Sequence, residues 1–225
     1  MRIGILQTGH APDEVRGELG DYADMFEQLL AGRGFTFTRY DVVDGVFPEN
    51  PEAADGWIVT GSRHGVYEDH PWLPPLEEFI RAIAAADRPL IGVCFGHQVI
   101  AQALGGKVEK FSGGWAVGQQ DYDFGGEVLK LNAWHQDQVI VPPEGAEVIA
   151  SNAFCANAAL AIGDKIFTIQ PHPEFTAEMI AGLIDYRSAA VPGELVERAQ
   201  SLLTAPNDNA SLAERMAAVL TNGAQ

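Results

Sequence analysis

Three features of the sequence predict an α/β fold built on an open, mostly parallel sheet with helices on both faces. Short apolar runs alternate with longer segments of helical periodicity, and strands that alternate with helices pair in parallel. Glycine-rich punctuation such as Gly32-Arg33-Gly34 separates the two patterns. Between Gly105 and Pro142 the texture changes to short polar and β-branched runs, which predicts a small antiparallel β element. The chain has 225 residues, 47% of them hydrophobic, enough to bury one sizeable core.

The elements follow in order. Residues 2–7 read as a first strand. Asp13 to Ala31 reads as one helix with Tyr22, Met25, Phe26, Leu29 and Leu30 on one face, and Phe35 to Tyr40 as a second strand. The unit repeats as a strand at Gly56–Thr60, a loop to Trp72, a helix from Leu76 to Ala86, and a strand running into Cys94 with a helix behind it. In the antiparallel region, Gly114–Gly118 and Glu127–Leu131 are the expected strands. Ala146–Ala150 and Ala158–Ile162 continue the main sheet, with a turn at Gly163-Asp164 before a strand from Lys165 to Ile169. Thr176 caps a helix through Arg187. Beyond Pro192-Gly193, two terminal helices are expected at Glu194–Leu203 and Ser211–Leu220, with Ser211 and Glu214 spaced as a capping box.

The chemistry concentrates at two places. Leu90-Ile91-Gly92-Val93-Cys94-Phe95-Gly96-His97-Gln98 is an apolar strand that stops at a cysteine and turns through glycine into a helical pattern. It has the form of a nucleophile elbow, in which close backbone approach at the glycines pushes the side chain of Cys94 into the open. A thiol at a helix N-terminus also feels the positive end of the backbone dipole, which favours thiolate over thiol. The matching base is His172, held between Pro171 and Pro173 after the Lys165–Ile169 strand, with Glu174 two residues on to fix its ring and tautomer. A lone cysteine after a buried strand is ordinarily a small core residue. The glycine spacing and the His-Pro-Glu element reverse that reading for Cys94.

These two segments resemble the signatures of the class I glutamine amidotransferases, G-x-C-x-G-x-Q and H-P-E. Gly92-Val93-Cys94-Phe95-Gly96-His97-Gln98 matches the first, and His172-Pro173-Glu174 the second. Val59-Thr60-Gly61-Ser62-Arg63 stands where that family has its oxyanion loop, with serine where many relatives have glycine. The resemblance covers roughly residues 1–185 and implies a flavodoxin-like glutaminase fold. It divides the chain into an amidotransferase domain at 1–190 and a helical extension at 191–225 packed on it.

By that resemblance Cys94 is the nucleophile, His172 the general base and then acid, and Glu174 its orienter. The oxyanion donors are the backbone N–H groups of Phe95, by its place after the elbow, and Ser62, by the resemblance; each is worth on the order of 3 kcal/mol. Gly61 and Gln98 are expected at the substrate. Trp134-His135-Gln136-Asp137 resembles the S-H-x-D loop of the guanosine-monophosphate synthetase glutaminase domain, which adds His135, Gln136 and Asp137 to the expected substrate contacts.

The substrate implied is glutamine or a γ-glutamyl small molecule, cleaved through a cysteine thioester to release ammonia or an amine. Gly113-Gly114-Trp115 and Ala103–Val108 resemble plant γ-glutamyl peptidases at least as well as the synthetase domain. With no P-loop and no ATP-pyrophosphatase motif, the alternatives are a stand-alone hydrolase and a glutaminase subunit feeding a separate ammonia-acceptor enzyme. A non-catalytic module on the same fold is disfavoured by the intact Cys94, His172 and Glu174.

A net charge of −17 argues against nucleic acid and anionic membrane as partners. Only Cys94 and Cys155 occur, so no disulfide framework is expected, and Cys155 reads as a packed thiol. The apolar N-terminal run is too short for a signal peptide, and no segment approaches the roughly 18 apolar residues of a membrane span, so a cytoplasmic protein is expected. Six histidines show no paired ligand spacing, so neither a metal nor a cofactor is expected.

Overall fold

Seven strands carry the alternating pattern into one twisted sheet. In the computed structural model, which describes residues 1–222, they are β1 (Arg2–Leu6), β2 (Thr36–Tyr40), β3 (Gly56–Val59), β4 (Leu90–Val93), β9 (Ala146–Ala150), β10 (Ala159–Ile162) and β11 (Ile166–Ile169). Their order is β2-β1-β3-β4-β11-β10-β9. The first five run parallel, and β10 and β9 continue the sheet antiparallel at one edge. Four further strands form two antiparallel pairs: β5 (Lys107–Lys110) with β8 (Asp137–Val141), and β6 (Ala116–Asp123) with β7 (Val128–His135).

Side chains alternate across the main sheet as the two-residue period requires. Ile3, Ile5, Ile58, Ile91 and Val93 enter one core, where α2 (Tyr22–Leu29) and α7 (Asn209–Asn222) cover them. Leu6, Trp57, Val59 and Leu90 enter the other, beneath α3 (Leu73–Ala85) and α4 (Phe95–Ala103). A third cluster joins α1 (Asp13–Leu19), α5 (Ala177–Arg187) and α6 (Gly193–Ser201) around Phe175 and Met179. Leu212, Met216 and Leu220 of α7 are fully buried in the first core. Among the described residues no helix is long and apolar enough to cross a membrane.

Three expectations are corrected. The single helix at Asp13–Ala31 is two, because Gly20 adopts φ +79° and Asp21 starts α2 with a capping box to Asp24. The unbroken apolar face masked that break. α3 begins at Leu73 rather than Leu76, since Pro74 and Pro75 fall in its first turn, where a missing N–H costs nothing. α7 opens at Asn209, so Ser211 lies inside its first turn and the Ser211–Glu214 pair is not its cap.

Candidate active site

Cys94 occupies the one-residue turn between β4 and α4, with φ +54° and ψ −105°. A non-glycine residue held there stores on the order of 1–3 kcal/mol, maintained by the surrounding packing. Two glycines make the turn possible. A Cβ on Gly96 would lie 2.2 Å from the Val59 carbonyl oxygen, and one on Gly92 would lie 2.6 Å from the Gly96 carbonyl oxygen. The strand, the helix and β3 therefore approach more closely than any side chain permits. Cys94 N–H donates to Ile169 O at 2.9 Å, tying the elbow to β11.

That adjacency brings the second motif to the first. β11 pairs with β4 in the register Ile169↔Val93, so the chain leaving β11 delivers His172 beside Cys94. His172 Nδ1 donates to Glu174 Oε1 at 2.7 Å, which leaves Nε2 as the ring nitrogen available to the neighbouring Cys94. The ring stacks on Phe175 at 3.8 Å between centroids and 5° between planes. Its backbone N–H donates to Asn132 O of β7 at 2.8 Å. Asn132 Nδ2 and Asn209 Nδ2 donate to the Phe175 carbonyl at 3.0 and 3.1 Å, so α7 and β7 both brace the ring's backing. The side chains of Cys94, His172 and Glu174 are all buried. Burial alone lowers the His172 pKa, but the charges of Glu174 and Cys94 outweigh it and raise it to about 10.

The Val59–Arg63 segment lies against this pair. A Cβ on Gly61 would stand 2.8 Å from His172 Cε1 and 3.7 Å from Cys94 Cβ. The Gly61 carbonyl is held from behind: Thr60 Oγ1 donates to it at 3.0 Å, and Thr8 Oγ1 lies 3.1 Å away. All peptide bonds described are trans, and a trans peptide directs its N–H opposite to its carbonyl, so Ser62 N–H is turned away from the two threonines. The Ser62 hydroxyl donates to Thr8 O at 2.7 Å and accepts from His64 N–H at 3.2 Å, which anchors the loop. Phe95 opens α4, so its N–H has no acceptor within the helix.

The remaining predicted residues line a cleft of 320 Å³ that also contains Cys94, Ser62 and His172. Gln98 is buried, and its amide donates to Asp137 O at 2.9 Å and to Gln170 Oε1 at 3.0 Å. Its carbonyl oxygen is the atom left for a ligand. His135 Nδ1 donates to Asp137 O at 3.1 Å, and burial lowers its pKa to about 4, so the ring is neutral. Gln136 Nε2 lies 3.4 Å from Phe111 O, and the Asp137 carboxylate accepts from the Tyr67 hydroxyl at 3.1 Å.

Residues 21–180 match the family described as glutamine amidotransferase class-I. The chain belongs to that family. It is 33% identical over 183 residues to gamma-glutamyl peptidase 4 of Arabidopsis thaliana, covering 74% of this chain and 72% of that protein. It is 32% identical over 162 residues to a glutamine-hydrolyzing GMP synthase of Pyrobaculum aerophilum, covering 69% of this chain and 31% of that protein. A solved glutamine amido transferase from Methylobacillus flagellatus shares the fold at a TM-score of 0.76 and 23% identity, covering 100% of this chain and 95% of that one. Its counterpart from Thermotoga maritima superposes with a TM-score of 0.75 at 23% identity, covering 96% and 98%.

Within this amidotransferase fold the cleft holds residues that sequence reasoning missed. Arg63, Lys110 and Arg187 contribute positive charge to its wall in a chain of net charge −17. Trp115 and Trp134 add aromatic surface. Phe175 was hidden because nothing local marks a ring that stacks on a neighbour three residues away. His64, Glu68 and His70 also converge, with one ligating atom from each lying within 4.8 Å of the others. The spacing H-x-x-x-E-x-H, passed over when the histidines were read as scattered, was the available signal. Cys155 is a free, buried thiol whose pKa burial pushes up to about 12.

Proposed function

We propose that this protein hydrolyses the γ-amide bond of glutamine or of a γ-glutamyl compound through a thioester on Cys94. The observation that carries the reading is the buried Cys94–His172–Glu174 array, in which Glu174 holds the ring by Nδ1 and its charge favours the protonated imidazole. The thiolate attacks the γ-carbonyl carbon, and the oxyanion that forms accepts hydrogen bonds from Phe95 and Ser62 N–H. As the C–N bond breaks, His172 gives its proton to the departing ammonia or amine. Water then attacks the thioester while His172 takes its proton, and glutamate leaves with the Cys94 thiolate restored. Glu174 holds the ring by Nδ1 throughout and stabilises its charged form.

The cleft's size, at the low end of the roughly 300–1,000 Å³ of ligand pockets, suits a small amino-acid amide. Arg63, Lys110 and Arg187 offer partners for an α-carboxylate, and the Asp137 carboxylate offers a partner for an α-amine. The two tryptophans supply surface for an organic group beyond the scissile nitrogen. We favour self-sufficient hydrolysis, since the Gly61–Ser62 peptide is held by Thr8 and Thr60 without help from another chain. The similarity to a GMP synthase over 69% of the chain supports a second reading, a glutaminase that delivers ammonia to a separate synthetase. Ammonia and amine release from the purified protein, measured with glutamine and with a panel of γ-glutamyl amides and dipeptides, separates them. Turnover of one panel member supports the first reading, and silence on all of them removes it.

A further inference from the structure

The segment between Ser62 and α3 carries a donor set that the hydrolytic reading does not use. We propose that His64, Glu68 and His70 bind one divalent transition-metal ion of the zinc class on the wall of the cleft. His64 Nδ1 lies 3.3 Å and His70 Nε2 2.7 Å from the same oxygen, Glu68 Oε2. Around a tetrahedral zinc with bonds of about 2.0–2.2 Å, neighbouring ligand atoms stand roughly 3.3 Å apart, so the three atoms need only small shifts to enclose an ion.

Two imidazoles and one carboxylate suit zinc or its neighbours and disfavour magnesium and calcium, which take oxygen ligands. The rings are held in place: His70 stacks on Trp72 at 5.4 Å and 12°, and His64 packs edge-on against His70 at 4.2 Å. The loop's own bonds support the convergence, with Glu68 N–H donating to Gly65 O and His70 N–H to Glu68 O, both at 3.1 Å.

Three protein ligands leave a fourth tetrahedral position for water or another ligand. An ion there pins the loop that begins at Ser62, and Trp72, which backs His70, packs on Phe95 at 5.7 Å. Ser62 thus lies two residues from the ligand His64, and Phe95 two packing contacts from the ligand His70.

The test is metal binding to the full chain carrying Cys94→Ala, which removes the one cleft thiol that would take zinc by itself. Co²⁺ is titrated and read by its visible absorption, then displaced with Zn²⁺. One Co²⁺ per chain with the intense bands of four-coordination is expected, together with a rise in Tm. Glu68→Gln or His70→Gln in the same background is expected to weaken the affinity at least tenfold. Glu68 is partly exposed, so its substitution keeps the fold, which metal-free melting verifies. Absence of binding at 1:1 stoichiometry below about 0.1 mM, or an affinity unchanged by Glu68→Gln, overturns the proposal. Because binding rather than turnover is read, the outcome does not depend on the hydrolytic reading.

Discussion

Gly61→Ala is a small perturbation with a consequence that the geometry specifies. The added methyl would lie 2.8 Å from His172 Cε1, whereas carbon atoms rest about 3.5–4.0 Å apart, so the ring or the loop must yield by about 0.7–1.2 Å. The ring has little freedom to retreat, because Phe175 is stacked on it at 3.8 Å and Glu174 holds Nδ1 at 2.7 Å. The loop is restrained by Thr8 and Thr60 at the Gly61 carbonyl. The displacement therefore falls on the Cys94–His172 contact or on the proposed oxyanion donor at Ser62. Misplacement of about 1 Å costs on the order of 10²-fold in rate, while overpacking costs about 1–3 kcal/mol in stability.

Two measurements follow from this. The first is kcat/KM for whichever γ-glutamyl substrate the panel identifies. The second is the pH profile of Cys94 alkylation by iodoacetamide, which reads the thiolate–imidazolium pair without any substrate. Gly17→Ala is the control, since a methyl there meets nothing within 4 Å. An unchanged alkylation profile together with kcat/KM within twofold of wild type in Gly61→Ala refutes the reasoning.

Three further outcomes are expected. A glutamine-like electrophile labels Cys94 and not the buried Cys155, and Cys94→Ala abolishes both labelling and turnover; peptide mapping by mass spectrometry that finds the adduct on Cys155 contradicts this. His172 has a folded-state pKa raised above its ordinary 6.5 to about 10, so its stabilising contribution is complete below about pH 6.5 and is lost as pH rises towards 10. Urea melts of wild type and His172→Gln are expected to differ most at pH 6 and to converge by pH 10, and a constant difference would show that no such shift exists. Gly96→Ala sets a methyl 2.2 Å from the Val59 carbonyl oxygen, and since backbone cannot swing aside, it is expected to cost about 3 kcal/mol or more in denaturant melts; a loss below 1 kcal/mol would mean that α4 shifts freely.

Much of this protein was legible locally. Gly92 and Gly96 around Cys94 announce a strand-to-helix turn because only residues without a Cβ tolerate that approach, and the strand–helix alternation announces the parallel sheet. The His-Pro-Glu element carries its own geometry, since only one residue separates His172 from the carboxylate that its Nδ1 bonds. What the tertiary structure decided are contacts between segments distant in sequence. Nothing near Cys94 says that β11 lies beside β4, and that pairing alone brings His172 78 positions along the chain to the elbow. The same holds for Asn209 of α7 bracing Phe175, and for Thr8, just beyond β1, reaching the Gly61 carbonyl just beyond β3. The break at Gly20-Asp21 was written in the sequence but lost to a continuous apolar face, because helical periodicity reports which side is buried and not whether the backbone is unbroken. His64, Glu68 and His70 lie within seven residues, yet their convergence depends on a loop whose turns are set by packing against Trp72 and Phe95. Local patterns carry information over one or two turns of chain, whereas a site assembled from several strands is specified by which of them the common core brings together.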